Sequence, residues 1–205
     1  MPKTTRVLAA VVAALALAAL LPRRARAHCD TMAGPTVADG RRALDSGDVN
    51  HALKWVDKEH EDELAAAFDL ARRVRDLGDD GRELADRYFL ETLIRLHRAG
   101  EGEPYTGIKP AGTPIDEKVA AADQCVATGT LAPLEPLVAA SDLPDLRARF
   151  ERVLATKDFE VADVDAGRDY VDAYVRFFHL AEGEHEHGGH GATSAAHDHG
   201  PHGAA

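Results

Sequence analysis

Residues 37–99 and 119–181 lie over one another at a constant offset of 82 with no gap. Val37, Ala38, Gly47, Val56, Leu64, Ala66, Phe68, Asp76, Tyr88, His97 and Ala99 fall on Val119, Ala120, Gly129, Val138, Leu146, Ala148, Phe150, Asp158, Tyr170, His179 and Ala181. Apolar character is also kept where identity is not, as at Leu44 and Val126, Val49 and Leu131, Leu77 and Phe159, Leu93 and Val175, and Leu96 and Phe178. A register held over such a length requires both stretches to use the same elements. Apolar residues recur three and four apart throughout, and long β-branched alternation is absent, so those elements are helices. The expected fold class is all-α: a helical bundle of two similar half-units, each of about four helices with the last one longest. Each half would cover the apolar face that the other cannot bury alone, in a pseudo-twofold arrangement. The competing explanation is a chance coincidence of periods in an alanine-rich chain.

Punctuation residues give the boundaries. Pro35 suits a first helical position, and Ser46-Gly47 stops that helix after Leu44. Asp48 is placed to cap a short helix carrying Val49, Leu53, Trp55 and Val56. A longer helix is expected from about Glu59 to Leu77, and Gly78 ends it. Asp79 or Asp80 then opens the strongest helix, whose Ala85, Phe89, Leu93 and Leu96 form one apolar stripe before Gly100. The first half thus covers 35–100 and the second 115–183. Between them, residues 101–114 form a Pro- and Gly-rich connection that excludes helix and is long for a loop within a domain.

The two ends have a different character. Residues 1–27 read as a signal peptide: a short basic region, an apolar run from Val7 to Leu21, then Ala25-Arg26-Ala27 as a small-x-small cleavage site. The run is short for a bilayer span, and Arg-Ala-His before Cys29 is not a lipidation box. Cleavage between Ala27 and His28 would give a secreted or periplasmic product with no membrane attachment. That cut removes five basic residues and no acidic ones, leaving 19 basic against 35 acidic residues and a formal charge near −16. Such a field repels phosphate backbones and concentrates cations, so nucleic acid is not an expected partner and metal ions are. Residues 184–205 hold six of the eleven histidines and no large apolar residue, the composition of a disordered tail.

The chemistry centres on residues 28–34. A processed His28-Cys29 terminus offers an α-amine, an imidazole, a thiolate and an amide nitrogen within two residues, a set that closes small chelate rings around copper, nickel or zinc. The alternative is a start site fixed by the peptidase, with Cys29 packed beneath the first helix or bridged to Cys125. His28-Cys29-Asp30 resembles the opening of the nickel superoxide dismutases, small secreted helical-bundle enzymes whose metal hook begins His-Cys-Asp. The second thiolate and the proline of that hook are replaced here by Ala33 and Met32. A wider resemblance rests on HCDTM with Gly34-Pro35, on LADRYFLETLIRLHRAGEGEPYTGIKPAG at 84–112 and on YVRFFHLAEG at 174–183. These segments resemble an uncharacterised family of bacterial exported helical proteins, which implies a helical fold and export and carries over no catalytic residue.

Further candidates follow from the register. His97 and His179 occupy equivalent points near the ends of the two long helices and would form a paired metal or ligand site if brought together, or else serve as hydrogen-bonded core residues. Tyr88 and Tyr170, equally paired, are expected in the core. Tyr105, Thr106 and Lys109 would line a pocket between the halves, unless their loop only sets the geometry of the crossing. In the tail, His185, His187, His190, His197, His199 and His202 would bind divalent ions weakly and exchangeably, a buffering rather than a catalytic role. No Walker loop, nucleophile elbow, zincin motif, Cys-x-x-Cys or core-facing Glu-x-x-His is present. The expected function is transition-metal binding at the processed terminus with buffering by the tail. A superoxide dismutase-like redox enzyme and a non-metal ligand- or protein-binding module are the two alternatives.

Overall fold

A computed structural model describes residues 28–183. Residues 1–27, where a signal peptide is expected, and the histidine-rich segment with His185, His187, His190, His197, His199 and His202 lie outside the described residues. Within them the chain is helical: α1 Pro35–Ser46, α2 Asn50–Leu53, α3 Glu61–Val74, α4 Asp79–Gly100, α5 Glu117–Thr128, α6 Leu143–Thr156 and α7 Val164–Glu182. The β-type pairing seen among the described residues is an isolated parallel bridge between Thr31 and Lys109. Among them, no helix is long and apolar enough to cross a membrane.

Local chemistry sets the ends. Pro35 opens α1 where a missing N–H costs nothing. Gly47 closes it in the left-handed region (φ 77°), its N–H bonding the Ala43 carbonyl at 2.9 Å. Gly129 ends α5 the same way (φ 72°), with its N–H 2.8 Å from the Cys125 carbonyl. Asp116 and Asp163 cap α5 and α7, accepting from the backbone N–H groups of Lys118 and Ala166 at 2.9 and 3.0 Å. In α3, Glu61, Asp62 and Glu63 begin the helix and Arg72 and Arg73 end it, the order that the helix dipole favours.

Helix spacing follows the 82-residue offset: α5 and α6 span the positions of α1 and α3 moved by 82, and α7 ends where α4 would. Within each half the long helix is the centre, α3 and α1 packing on α4, and α6 and α5 on α7. Val37, Leu64, Phe89, Leu93, Ile94 and Leu96 are buried in the first half, and Val119, Leu146, Val153 and Phe177 in the second. Gly40 lets α1 approach α4 closely, since a Cβ there would lie 2.6 Å from a Leu90 methyl and 2.8 Å from one of Leu93.

Three sequence expectations need correction. The helix after Asp48 covers only Asn50–Leu53, so Trp55 and Val56 follow it in a turn. The long helix expected over 59–77 is α3 alone, flanked by 3₁₀ turns at Lys58–His60 and Arg75–Leu77. Tyr88 is 45% exposed, whereas its counterpart Tyr170 packs against Phe159 and Tyr174. Helix phase does not separate the two, since each precedes a buried residue, Phe89 and Val171; Phe159 covers Tyr170, whereas Leu77, at the matching position of the first half, is exposed.

The halves meet through the 53–57 turn and the N-terminal strap, residues 28–34. Trp55 stands edge-on to His97 of α4 and Tyr174 of α7, at ring-centroid distances of 5.5 and 6.3 Å. Its indole N–H donates to Asp39 at 2.9 Å, an oxygen that Lys54 also reaches at 2.9 Å. From α7, Arg168 donates to the Val56 carbonyl and pairs with Glu61. The strap is held by residues 101–114: the Lys109 N–H donates to the Asp30 carbonyl at 2.8 Å, and the Met32 N–H to the Lys109 carbonyl at 2.9 Å. At the strap's end Gly34 is a steric requirement, because a Cβ there would sit 2.2 Å from the His28 carbonyl oxygen. Gly34→Ala is expected to displace residues 28–31 and lower stability by about 1–3 kcal/mol, with helical circular dichroism retained. Hydrogen exchange should show the loss of protection concentrated in 28–34 and 109, and an unchanged strap would refute this account.

Candidate functional site

The strap enters the interior by way of a buried ion pair. Asp30 and Arg98 are 5% and 2% exposed, and the guanidinium Nε donates to the carboxylate at 2.7 Å. Burial pushes the Asp30 carboxyl above its ordinary range, although Arg98 opposes the shift. The same arginine reaches Glu101 through Nη1 at 2.6 Å. Glu101 stands just past the last turn of α4 and faces back along it, so its other oxygen lies 3.5 Å from His97 Nε2.

His28 is buried, its ring stacked on Phe178 at 6.0 Å and its Nε2 lying 2.8 Å from an Asp123 oxygen. The other oxygen of Asp123 accepts from the Tyr174 hydroxyl at 2.9 Å. Nδ1 of His28 and Nη2 of Arg98 are buried with no hydrogen-bond partner among the described residues. Beside them Cys29 packs against the core. Burial pushes its thiol up to about 12, with Glu101 and Asp30 raising it further and Arg98 and a Thr36 hydrogen bond pulling it down. The thiolate expected from the sequence is therefore a protonated thiol in the folded chain, and any ion bound there must expel that proton.

These groups surround a cavity of about 20 Å³, lined by His28 and Cys29 of the strap, Arg98 and Glu101 of the α4 end, and Tyr174, His179 and Glu182 of α7. Such a volume holds a single water-sized body. Among the described residues, no three His, Cys, Asp or Glu side chains stand together as a ready-made metal cage. A chelate built on a chain terminus draws instead on the α-amine and amide nitrogens, with fewer side chains required.

The other candidates are placed differently. His97 and His179 line separate cavities. His97 is buried with Nδ1 2.9 Å from the Trp55 carbonyl, as a core histidine would be, while His179 shares the cavity of His28 and Cys29. The Lys109 ammonium turns back to the carbonyl and hydroxyl of Thr106, both at 2.9 Å, and its backbone pins the strap. Tyr105 is only partly buried. Cys29 and Cys125 are both free, so the bridge left open by their spacing is not formed.

Sequence reasoning passed over Asp30, Arg98, Glu101 and Asp123 as working residues. One signal was available: Arg98 lies four residues past buried Ile94, and an arginine on the apolar face of a helix announces a buried partner. Neither a curated protein nor a solved structure matches the chain. A family model does match residues 33–180. With nearly the whole described region covered, the chain belongs to the family of unknown function DUF6448.

Proposed function

We propose that this is an exported helical protein that holds one transition-metal ion, copper, nickel or zinc, at an N-terminus processed to His28. The observation that carries this reading is the single-ion-sized cavity at which His28 and Cys29 meet His179 and Glu101. Processing at His28 would add an α-amine beside an imidazole nitrogen that lacks a hydrogen-bond partner among the described residues. The Cys29 thiol proton would pass to solvent as the sulfur binds. Ala33 supplies no second thiolate, so binding rather than superoxide turnover is the activity proposed. The tail histidines would add weak, exchangeable sites, and the two halves would descend from one helical unit, of which the second keeps three α-helices.

The test uses the processed chain, beginning at His28 with its six tail histidines changed to serine, titrated in turn with Cu²⁺, Ni²⁺ and Zn²⁺. One tightly held ion per chain is expected for at least one metal. Cys29→Ser, or one extra residue ahead of His28, should weaken it by at least about 100-fold, since each removes a chelate donor. A folded chain that starts at His28 and retains none of the three ions refutes the proposal.

Thiol chemistry supplies a second check. In the metal-free folded protein at pH 8, both cysteines should react with iodoacetamide at least about 100-fold more slowly than in urea, because only the thiolate attacks and Cys29 is kept protonated. Rapid native labelling of Cys29, read by peptide mass spectrometry, would contradict the buried geometry.

A further inference from the structure

Beside the small cavity lies a larger one of about 240 Å³ between the 54–57 turn, the end of α4 and the outer face of α7. Glu101 and Val175 line both, so these two side chains form the wall between them. The larger cleft has the character of a cation vestibule. Its two cationic side chains are committed elsewhere, Arg168 to Glu61, Asp165 and the Val56 carbonyl, and Lys54 to Asp39 and the face of Phe159. Exposed Asp57 borders it, and Gly100 is what lets that carboxylate lie against the helix end, since a Cβ there would be 2.8 Å from its Oδ2. The C-terminal end of α4 adds the negative pole of a 22-residue helix. Buried His97 offers Nε2, which has no hydrogen-bond partner among the described residues, at the same wall, 3.5 Å from Glu101.

We infer that this cleft is the route by which a metal cation reaches His28 and Cys29, captured by Asp57 and admitted when Glu101 swings away from Arg98 and His97. The inference rests on the metal-binding reading above. Trp55, the one tryptophan of the chain, lines the cleft and reports on passage, because Cu²⁺ quenches indole fluorescence. The experiment is stopped-flow mixing of Cu²⁺ with the processed chain, His28 to Ala205, with the tail histidines replaced by serine. Asp57→Lys should slow association by about tenfold through charge alone. Val171→Phe, which narrows the cleft without touching the small cavity, should slow association and dissociation together and leave the amount bound at equilibrium unchanged. Should one copper bind per chain with wild-type rates in both variants, the route is wrong while the binding site stands. If wild type binds no copper, the same mixing is run with whichever of Ni²⁺ and Zn²⁺ it holds, and if it holds none of the three, both fail. Should Val171→Phe not fold, the association rate of Asp57→Lys decides alone.

Discussion

The Asp30–Arg98 pair fixes the position of everything that could be functional here. It joins the strap to the last turn of α4 across 68 residues of sequence, and both partners are almost fully buried. Such a pair is not primarily a source of stability, because two charges must leave water to form it. The carboxyl shows this directly. Its pKa is raised on folding, so the folded state binds its proton more readily than the unfolded chain does, and stability at this group falls as pH rises through the carboxylate range. What the pair gives is placement: with Arg98 buried, few positions of the strap satisfy the guanidinium. The position that does puts His28 on Phe178 and Cys29 beside Glu101.

The connection at 101–114 completes that placement by other means. A segment rich in glycine and proline cannot compete for helix, so its backbone N–H and C=O groups are free to pair elsewhere. Two of them are used on the strap, through Lys109. Backbone pairing accepts almost any side chain at the bonded positions, which is why Lys109 can serve while its ammonium turns back to Thr106.

These two interactions also mark the limit of what could be read from sequence. Helices were legible because each carries its own code: Pro35 and Gly47 at the ends of α1, and Ala85, Phe89, Leu93 and Leu96 along α4. His28 and Cys29 were legible as candidates from the chemistry of a processed terminus. Their surroundings were not, since the pairing of Asp30 with Lys109 is a main-chain contact without a side-chain signature, and the apolar-face position of Arg98 announces a buried partner without saying which carboxylate it is. Pairing Tyr88 with Tyr170 misled for a related reason. Equivalent positions in a repeated register share a helix phase, but burial depends on the element packed against them, and Phe159 covers only the second tyrosine.

Departures from the register say more about function than its identities do. Asp39, Trp55, Arg98 and Glu101, the polar residues at the meeting of the halves, correspond at an offset of 82 to Ala121, Leu137, Leu180 and Gly183. Thr92 corresponds to Tyr174, and Leu96 to Phe178. At these positions the first half brings charge and hydrogen-bonding groups and the second aliphatic and aromatic surface, while the second half's own polar groups at the junction, Arg168 and Asp123, come from other positions. Two copies of the polar face would leave buried charges opposed, and two copies of the apolar face would close without a polar cavity. The asymmetric pairing leaves a small chamber against an aromatic wall, with one histidine from each side: His28 on the strap, and His179 on α7. His97, the formal counterpart of His179, is excluded from that chamber because the Trp55 carbonyl, on the polar side, already engages its ring. The difference at these few positions is thus what separates a core histidine from one that faces the candidate site.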